Sequence, residues 1–340
     1  MPPSVSDCAG STSPASAGEE SEHLDSFVPP ANRYPVIVGP TAGGKTALGV
    51  ELAKRLRRAD GQPGQVVTAD AYQIYTDLNI GTAKPTLEER AGIEHHLIDI
   101  AQLKDRFTVH DWLHRADPIV ERLRTNDITP VVVGGTNLYI KAFLDGLFEA
   151  PEPSDEIKQH VEGMTQPERR ELLSKVDPEA HERIDGADIR RTKRALEVYL
   201  QTAVPITQLQ AQWDRDKPTR PEAVLVGLDW PVEAINARIN LRVKLMIEQG
   251  LVEEARALFN ADAFGPQSRE AIGYKQLIAH FEGHCTLSEA IERIKIDTRR
   301  FAKNQRTWLK RLRAHHTSIW VSAEGHDTAG IADQVIKRMS

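Results

Sequence analysis

The chain has 340 residues and a formal net charge of −6. That length suits one large domain with an insertion, or two small domains, and is ample for a sizeable core. The two cysteines, Cys8 and Cys285, can build neither a disulfide framework nor a zinc site, and no apolar run is long enough to span a membrane. We therefore expect a cytoplasmic protein without a membrane segment. Any nucleic-acid-binding surface would need cations that are concentrated locally.

Residues 1–30 are rich in Ser, Ala, Pro, Gly and Glu, and they contain few large apolar side chains. They also lack the basic-then-apolar order of a signal peptide. This composition predicts a disordered tail. A regulatory or targeting role for the tail is the alternative.

A glycine-rich segment follows a short apolar one. Residues 35–38 are mostly branched and apolar, as in a buried strand, and residues 47–56 place apolar side chains at helical spacing. Between them lies a match to the phosphate-binding pattern G-x-x-x-x-G-K-[ST], formed by Gly39, Pro40, Thr41, Ala42, Gly43, Gly44, Lys45 and Thr46. In this context backbone N–H groups at a helix start wrap a phosphate, Lys45 adds a positive charge, and the Thr46 hydroxyl can reach a bound Mg²⁺. The alternative is an ordinary glycine-rich turn.

A second strand is predicted at residues 65–68, shortly before Asp70. In open parallel sheets, residues just past the carboxyl ends of strands face the ligand crevice, which would place Asp70 beside the phosphate loop. A helix N-cap is the structural alternative for this residue. Residues 95–100 are predicted as a further short strand. His95 and His96 would point to opposite faces of it, so we interpret them as structural or solvated rather than metal-binding.

A strand predicted at residues 128–133 follows an amphipathic helix at 109–123 and precedes a helix at 138–144. It ends in Gly134, Gly135 and Thr136. Relatives of the phosphate loop that cleave ATP or GTP usually carry an Asp at the end of such a strand, where it holds Mg²⁺. The two glycines and the threonine favour a shared diphosphate site with different chemistry.

The composition changes after residue 150. Residues 151–153 are interpreted as a linker, and residues 154–200 show helical patterns rich in Glu, Arg and Lys. Four cations in five positions, Arg190, Arg191, Lys193 and Arg194, form either a solvated helix face or a binding surface. Residues 223–228 return as a strand. We therefore expect an α/β core of residues 31–150 and 216–325, interrupted by a mostly helical insertion at 151–215.

The C-terminal third is predicted to be helical. A helix at 235–246 carries Arg238 and Arg242 on one face. A longer helix at 287–313 carries seven Lys or Arg residues and no acid from residue 298 onward. Its Phe301, Trp308 and Leu312 recur at spacings of seven and four, which predicts a core stripe rather than a base-stacking platform. The cations would then form an outward basic strip, as on a surface that contacts a phosphate backbone.

Several blocks of this sequence together resemble the tRNA dimethylallyltransferases, also called tRNA isopentenyltransferases. The similarity extends over residues 33–320. It is carried by the segments 39–46, 70–75, 79–85, 95–99, 133–139, 194–199 and 299–308, which stand in the family's order. The C-terminal Cys₂His₂ finger of eukaryotic relatives is missing, so the chain resembles the bacterial type.

This resemblance implies an activity and a fold. The dimethylallyl group of dimethylallyl diphosphate would be transferred to N6 of the adenine immediately 3′ of the anticodon, tRNA position 37, in tRNAs that read codons starting with U. Diphosphate would leave. The fold implied is a P-loop, nucleotide-kinase-like parallel sheet with a helical insertion that contacts the tRNA anticodon stem-loop. Mg²⁺ is the expected cofactor, and we expect a monomer.

The resemblance also implies roles for individual residues. Asp70 would be the general base, with Lys45, Thr46 and Arg242 completing the catalytic set. Diphosphate would be bound by Arg242 and the loop residues 39–46, and Mg²⁺ by Thr46. The residues expected to contact tRNA are Asp70, Ala71, Tyr72, Gln73, Thr136, Arg190, Arg191, Thr192, Lys193, Arg194, Arg299, Arg300 and Arg306. Two positions depart from the family pattern, because Ala71 and Gly43 stand where Ser is common.

Three alternative functions are less well supported by the sequence. An adenylate isopentenyltransferase, acting on AMP or ATP, would need neither the basic helix nor the cationic insertion. A P-loop small-molecule kinase is disfavoured by the missing acid after residue 133 and by the lack of an obvious lid. The presence of Asp70, Lys45, Thr46 and Arg242 together disfavours an RNA-binding or nucleotide-sensing module without catalysis.

Overall fold

A six-stranded parallel sheet organises the residues described by the computed structural model, which are 33–147, 151–211, 219–315 and 317–340. The strands are β1 (Tyr34–Val38), β2 (Gln65–Ala69), β3 (His95–His96), β4 (Pro130–Gly134), β5 (Ala223–Asp229) and β6 (Ser318–Ser322). Their order in the sheet is β3-β2-β4-β1-β5-β6, and all neighbouring pairs are parallel. The predicted α/β parallel core is therefore confirmed. The tail predicted for residues 1–30 lies outside the described residues.

Helices cover both faces of this sheet. The first half of the chain contributes α1 (Lys45–Arg55), α2 (Leu87–Arg90), α3 (Val109–Thr125) and α4 (Asn137–Asp145). The last third contributes α10 (Val232–Glu248), α11 (Leu251–Asn260), α12 (Tyr274–Phe281), α13 (Leu287–His315) and α14 (Thr328–Met339). Burial on both faces explains why β1 and β4 are runs of apolar residues rather than alternating ones. Among the helices in these ranges, none is both long and apolar enough to cross a membrane.

The remaining helices lie between the two halves of the sheet. They are α5 (Asp155–Gly163), α6 (Gln166–Val176), α7 (Pro178–Arg183), α8 (Ile189–Thr202) and α9 (Ile206–Gln210). They pack around a small apolar cluster of their own that includes Val161, Leu173 and Leu196. After them the chain returns to the sheet, as predicted, where β5 pairs with β1. The boundaries at residues 151 and 215 stay predictions, and residues 212–218 lie outside the described ranges.

The strand predicted at residues 95–100 is shorter than expected. Only His95 and His96 pair with β2, because Leu97 and Asp99 adopt left-handed backbone angles, with φ of 64° and 56°. The two histidines make local contacts. His95 Nδ1 lies 2.9 Å from the Ile93 carbonyl oxygen, and His96 Nε2 lies 2.8 Å from Gln65 Oε1. Burial lowers the pKa of both imidazoles, which favours their neutral form.

The core stripe predicted on α13 is wrong for two of its three residues. Leu312 is buried, but Phe301 is 39% exposed and Trp308 is only half-buried. The residues that this part of the helix buries are Ala302, Gln305, Leu309 and Leu312. Phe301 and Trp308 instead line an open cleft. Helical spacing shows that apolar side chains share a face, but it does not distinguish a core from the wall of a cleft.

Close packing between β5 and β6 gives a stability prediction. A Cβ atom at Gly227 would lie 2.4 Å from two carbons of the Trp320 ring. We expect Gly227→Ala to lower the free energy of unfolding by about 1–3 kcal/mol, as overpacking does. Urea denaturation followed by circular dichroism measures this. Gly163→Ala is the control, because a Cβ there meets nothing within 4 Å, and its effect should stay within about 0.5 kcal/mol. Equal unfolding midpoints for the two variants would contradict the packing argument.

Candidate active site

One large cleft, of about 2870 Å³, opens at the carboxyl-end edge of the sheet. Its wall joins the phosphate loop, the ends of β2 and β4, and the helices α8, α10 and α13. The predicted site residues on this wall are Thr41, Asp70, Ala71, Tyr72, Thr136, Arg190, Arg191, Lys193, Arg194 and Arg242. Predicted site residues that are far apart in the sequence thus line the same cleft.

The phosphate loop is held in shape by two side chains from the second half of the chain. Trp230 Nε1 donates a hydrogen bond to the Gly43 carbonyl oxygen at 3.1 Å, and Arg238 Nε donates to the Ala42 carbonyl oxygen at 2.9 Å. The Arg238 guanidinium also lies over the Trp230 ring, at 4.6 Å from its centroid. Both carbonyl oxygens thus point towards side chains outside the loop. The backbone N–H groups in the first turn of α1 have no acceptor within the helix, so they remain available to bind an anion. Arg238 therefore supports the loop.

Glycine is favoured at residues 43 and 44 for different reasons, close packing at the first and a left-handed backbone angle at the second. A Cβ atom at Gly43 would lie 2.8 Å from the Pro40 carbonyl oxygen and 3.3 Å from Trp230 Nε1, so a side chain would push the loop away from its support. Gly44 precedes α1 with a φ of 88°, a left-handed angle that glycine adopts without strain. The glycine that replaces the common Ser at residue 43 therefore fits the tight packing of this loop.

Two cations beside the loop carry no ion pair within the described part of the chain. Lys45 Nζ donates to the Pro40 carbonyl oxygen at 2.9 Å. Burial, and then the positive charge of Arg242, lower the pKa of Lys45 to about 8, while Asp70 opposes the shift. Burial also lowers the pKa of Arg242, again against Asp70. Two desolvated cations that repel each other are suited to a multiply charged anion.

Asp70 lies at the turn that follows β2. One carboxylate oxygen, Oδ1, accepts hydrogen bonds from the backbone N–H groups of Tyr72 at 2.9 Å and Gln73 at 3.2 Å, as in an Asx turn. Residues 71–74 form a turn and not a helix, so the alternative of a helix N-cap is wrong. No side chain or backbone group in the described ranges bonds the other oxygen, Oδ2. The turn therefore orients the carboxylate and leaves Oδ2 without a hydrogen-bond partner among the described residues.

Neighbours of Asp70 hold its turn in place. Thr136 Oγ1, at the end of β4, accepts a hydrogen bond from the Ala71 N–H at 3.0 Å. Gln73 is buried, and its Nε2 donates to the carbonyl oxygens of Thr82 at 3.1 Å and Ala83 at 3.2 Å. Gln73 thus anchors the loop at 79–85, whereas Ala71 and Tyr72 line the cleft.

The absence of an acid after β4 has a steric reason. A Cβ atom at Gly134 would lie 2.4 Å from the Ala69 carbonyl oxygen on the neighbouring strand. One at Gly135 would lie 2.9 Å from Gln305 Nε2 and 3.4 Å from Lys45 Nζ. A carboxylate side chain cannot be placed at either position unless β2 or Gln305 moves.

Helix α8 brings four cations to the wall of the cleft. Arg190, Arg191, Lys193 and Arg194 all line it. Thr192 is the exception among the five predicted residues, because it is fully buried and its Oγ1 donates to the Asp188 carbonyl oxygen at 2.8 Å. Thr192 therefore packs inside the helical unit.

The cleft-facing side of α13 differs from the predicted basic strip. Arg299, Arg300 and Arg306 do not line the cleft, and Arg299 Nη1 donates to Asn240 Oδ1 at 2.5 Å. The part of α13 that does line it includes Phe301, Asn304, Gln305, Trp308 and Arg311. Neither Arg311 nor Gln305 is among the residues predicted for the site from the sequence. The heptad spacing of Phe301 and Trp308 on a basic helix was the signal for this face, but it was interpreted as a core stripe.

Comparisons with known proteins agree on one family. The profile of the family described as "IPP transferase" matches residues 73–312. The tRNA dimethylallyltransferase of Shouchella clausii is 40% identical over 293 residues, which cover 85% of this chain and 90% of that protein. The tRNA dimethylallyltransferase of Anaeromyxobacter dehalogenans strain 2CP-C is 38% identical over 310 residues, covering 90% of this chain and 100% of that one.

A solved structure is similar as well. The crystal structure of the full-length tRNA isopentenylpyrophosphate transferase from Bacillus halodurans superposes with a TM-score of 0.66 at 33% identity. The match covers 91% of this chain and 95% of that one.

The lowered pKa of Lys45 predicts a pH dependence for anion binding. Above a pH of about 8 the free protein loses the Lys45 proton, whereas a bound diphosphate favours the charged ammonium. We expect diphosphate affinity to fall as pH rises through this value, by up to about tenfold per pH unit, and binding at this pH to take up a proton. Calorimetry in buffers of different ionisation enthalpy measures both effects. Lys45→Met is the control for titration of the ligand itself, and an identical pH profile in that variant would remove Lys45 from this role.

Proposed function

The chain belongs to the IPP transferase family, and on this basis we propose that it transfers a dimethylallyl group from dimethylallyl diphosphate to adenine N6 in tRNA. The reaction class of the family is the transfer of a prenyl group to tRNA. We assign the acceptor to the adenine immediately 3′ of the anticodon, tRNA position 37, in tRNAs that read codons starting with U. The observation that carries this proposal is that Asp70, Arg242 and the cations of α8 line one cleft, which Thr41 of the phosphate loop also lines.

The anion site accounts for departure of the leaving group. As the bond between C1 of the allyl group and its bridging oxygen breaks, negative charge grows on the diphosphate. The loop N–H groups, Lys45 and Arg242 stabilise that charge, and because they carry no ion pairs with described residues, no carboxylate must first be displaced. We place the diphosphate along residues 39–46, with its charge towards these two cations.

Asp70 accounts for activation of the acceptor. Adenine N6 is a poor nucleophile because its lone pair is delocalised into the ring. A carboxylate that accepts the N6 proton while the bond from C1 to N6 forms raises its reactivity. Asp70 Oδ2 is available for this, while Oδ1 is held by the turn. The target base must leave the anticodon stack to reach it.

A divalent metal ion fits the donor set beside the loop. The described ranges hold no group of three His, Cys, Asp or Glu side chains that could bind a metal by themselves. Mg²⁺ does not need one, because it commonly keeps several waters and takes one or two protein ligands together with phosphate oxygens. Thr46, at the start of α1, would supply the protein ligand. When bound, the ion would add positive charge beside the leaving diphosphate.

The distribution of cations suits the anticodon arm. The net charge of the whole chain is −6, yet the cleft wall on α8 carries Arg190, Arg191 and Arg194. We propose that α8 contacts tRNA phosphates, with Arg311 inside the cleft. The predicted strip of Arg299, Arg300 and Arg306 would contact the backbone outside it.

The alternatives fit this geometry less well. Pockets for small-molecule ligands commonly measure about 300–1,000 Å³, whereas this cleft measures about 2870 Å³. That difference disfavours AMP or ATP as the acceptor. A phosphoryl-transferring kinase would need a metal-binding carboxylate at this end of β4, where Gly134, Gly135 and Thr136 stand instead.

A transfer assay tests the function directly. Purified protein would receive labelled dimethylallyl diphosphate and Mg²⁺ together with one of three acceptors. These are an unmodified tRNA with adenine 3′ of its anticodon, the same tRNA with that base changed, or AMP and ATP. We expect label in the first tRNA alone. Label in AMP or ATP would assign the free nucleotide as substrate, and no label in any acceptor would refute prenyl transfer by this chain.

The role of Asp70 gives a second test. Asp70→Asn retains an Oδ1 acceptor for the Tyr72 and Gln73 N–H groups, so the turn should persist while the base is lost. We expect kcat to fall by about 10²–10⁴-fold, with little change in the dissociation constant for tRNA. Glu152→Gln makes the same chemical change on the cleft wall and should leave kcat unchanged. Turnover of Asp70→Asn within a few-fold of the parent would assign the proton transfer elsewhere.

A further inference from the structure

Gln305 is a buried amide that bridges distant segments. It is 2% exposed and comes from α13. Its Oε1 accepts a hydrogen bond from the Thr41 N–H of the phosphate loop at 2.8 Å, and its Nε2 donates to the Gly135 carbonyl oxygen at 2.7 Å. A single side chain thus joins the loops that follow β1 and β4 to the long basic helix.

This bridge lies beside the anion site. A Cβ atom built on Gly135 would lie 2.9 Å from Gln305 Nε2 and 3.4 Å from Lys45 Nζ, so both groups crowd the same point. Thr41 N–H belongs to the loop expected to bind the diphosphate, yet it is engaged by Gln305. Gln305 therefore fixes the direction of this N–H within the loop.

Gln305 also lies within the ligand-facing part of α13. Asn304 and Trp308 line the cleft within one turn of it, and Phe301 and Arg311 do so one to two turns away. A hydrogen-bonded helix transmits a small shift along its length because its residues cannot move independently. A nucleic-acid strand that contacts these side chains would thus act on the same helix that holds Thr41.

We propose that Gln305 is a positioning residue that couples occupancy of the α13 face by tRNA to binding of the diphosphate substrate in the phosphate loop. This inference rests on the proposed function. The competing view is that Gln305 only satisfies two buried backbone groups. That role would affect both ligands alike but would leave their mutual influence unchanged.

The coupling is measured as a ratio of dissociation constants. The probe is the thio analogue of dimethylallyl diphosphate, in which sulfur replaces the bridging oxygen and slows transfer. Its dissociation constant is determined with and without a saturating anticodon stem-loop. By thermodynamic reciprocity, the stem-loop constant must change by the same factor when the analogue is present. In the parent protein we expect a factor of about 5 or more.

Replacing the amide should abolish this factor. Gln305→Leu keeps the approximate size of the side chain but neither accepts from Thr41 nor donates to Gly135, and we expect the ratio to fall towards one. Gln267→Leu is the matched control, because Gln267 makes a similar amide bridge, with both N–H and carbonyl oxygen of Phe107, away from the loop. If Gln305→Leu does not fold, Gln305→Met replaces it as the test variant, because methionine also lacks the amide.

The outcomes separate this inference from the function itself. A parent ratio of one, an unchanged ratio in the Gln305 variants, or an equal loss in Gln267→Leu would each overturn the coupling role. Absence of label transfer by the parent would instead overturn the proposed function. Transfer by the parent together with a ratio that falls only in the Gln305 variants supports both.

Discussion

The carboxyl ends of β2, β4 and β1 meet at one edge of a parallel sheet, and the site depends on that arrangement. The register pairs Ala69 with Gly134 and Ile37 with Val133, so the segments that follow these strands emerge side by side. They are the phosphate loop, the turn of Asp70 and the Gly135–Thr136 segment. Each contributes a different chemical group. The helices then close the space, with α10 contributing Arg242 and α13 contributing Gln305.

The electrostatics of the site depend on two cations, Lys45 and Arg242, that are partly buried but form no ion pair with described residues. Desolvated charges are costly unless they are compensated, and proteins usually compensate them with an ion pair. Here Lys45 and Arg242 are partly desolvated, and Asp70, the carboxylate that acts on both, makes no ion pair with either within the described residues. Because this burial is not compensated by an ion pair, the pKa of Lys45 is lowered. In the proposed function, an incoming diphosphate would supply the missing negative charge, so the cost of assembling the cations would be offset only when the ligand is bound.

Sequence patterns predicted most of the fold and several of the residues that line the candidate site. The phosphate-loop pattern, the apolar strands and the return of residues 223–228 to the sheet all appear in the structure, because they depend on local spacing and on the burial of parallel strands. The errors arose where local pattern was insufficient. Residues 95–100 contain left-handed turns that apolar spacing does not reveal, and the stripe on α13 mixed the core with the cleft wall. The roles of individual site residues stay predictions.

The sequence by itself determined the local chemistry of this protein. It placed a phosphate-loop sequence pattern between a strand and a helix, a carboxylate after the second strand, and two dense groups of cations in the second half of the chain. Only the tertiary structure decided which of these groups meet. Trp230 and Arg238 reach the phosphate loop from the far half of the chain, and Gln305 contacts Thr41 across 264 residues. No periodicity encodes such contacts, because they arise from how helices pack over the sheet rather than from the spacing within any one of them.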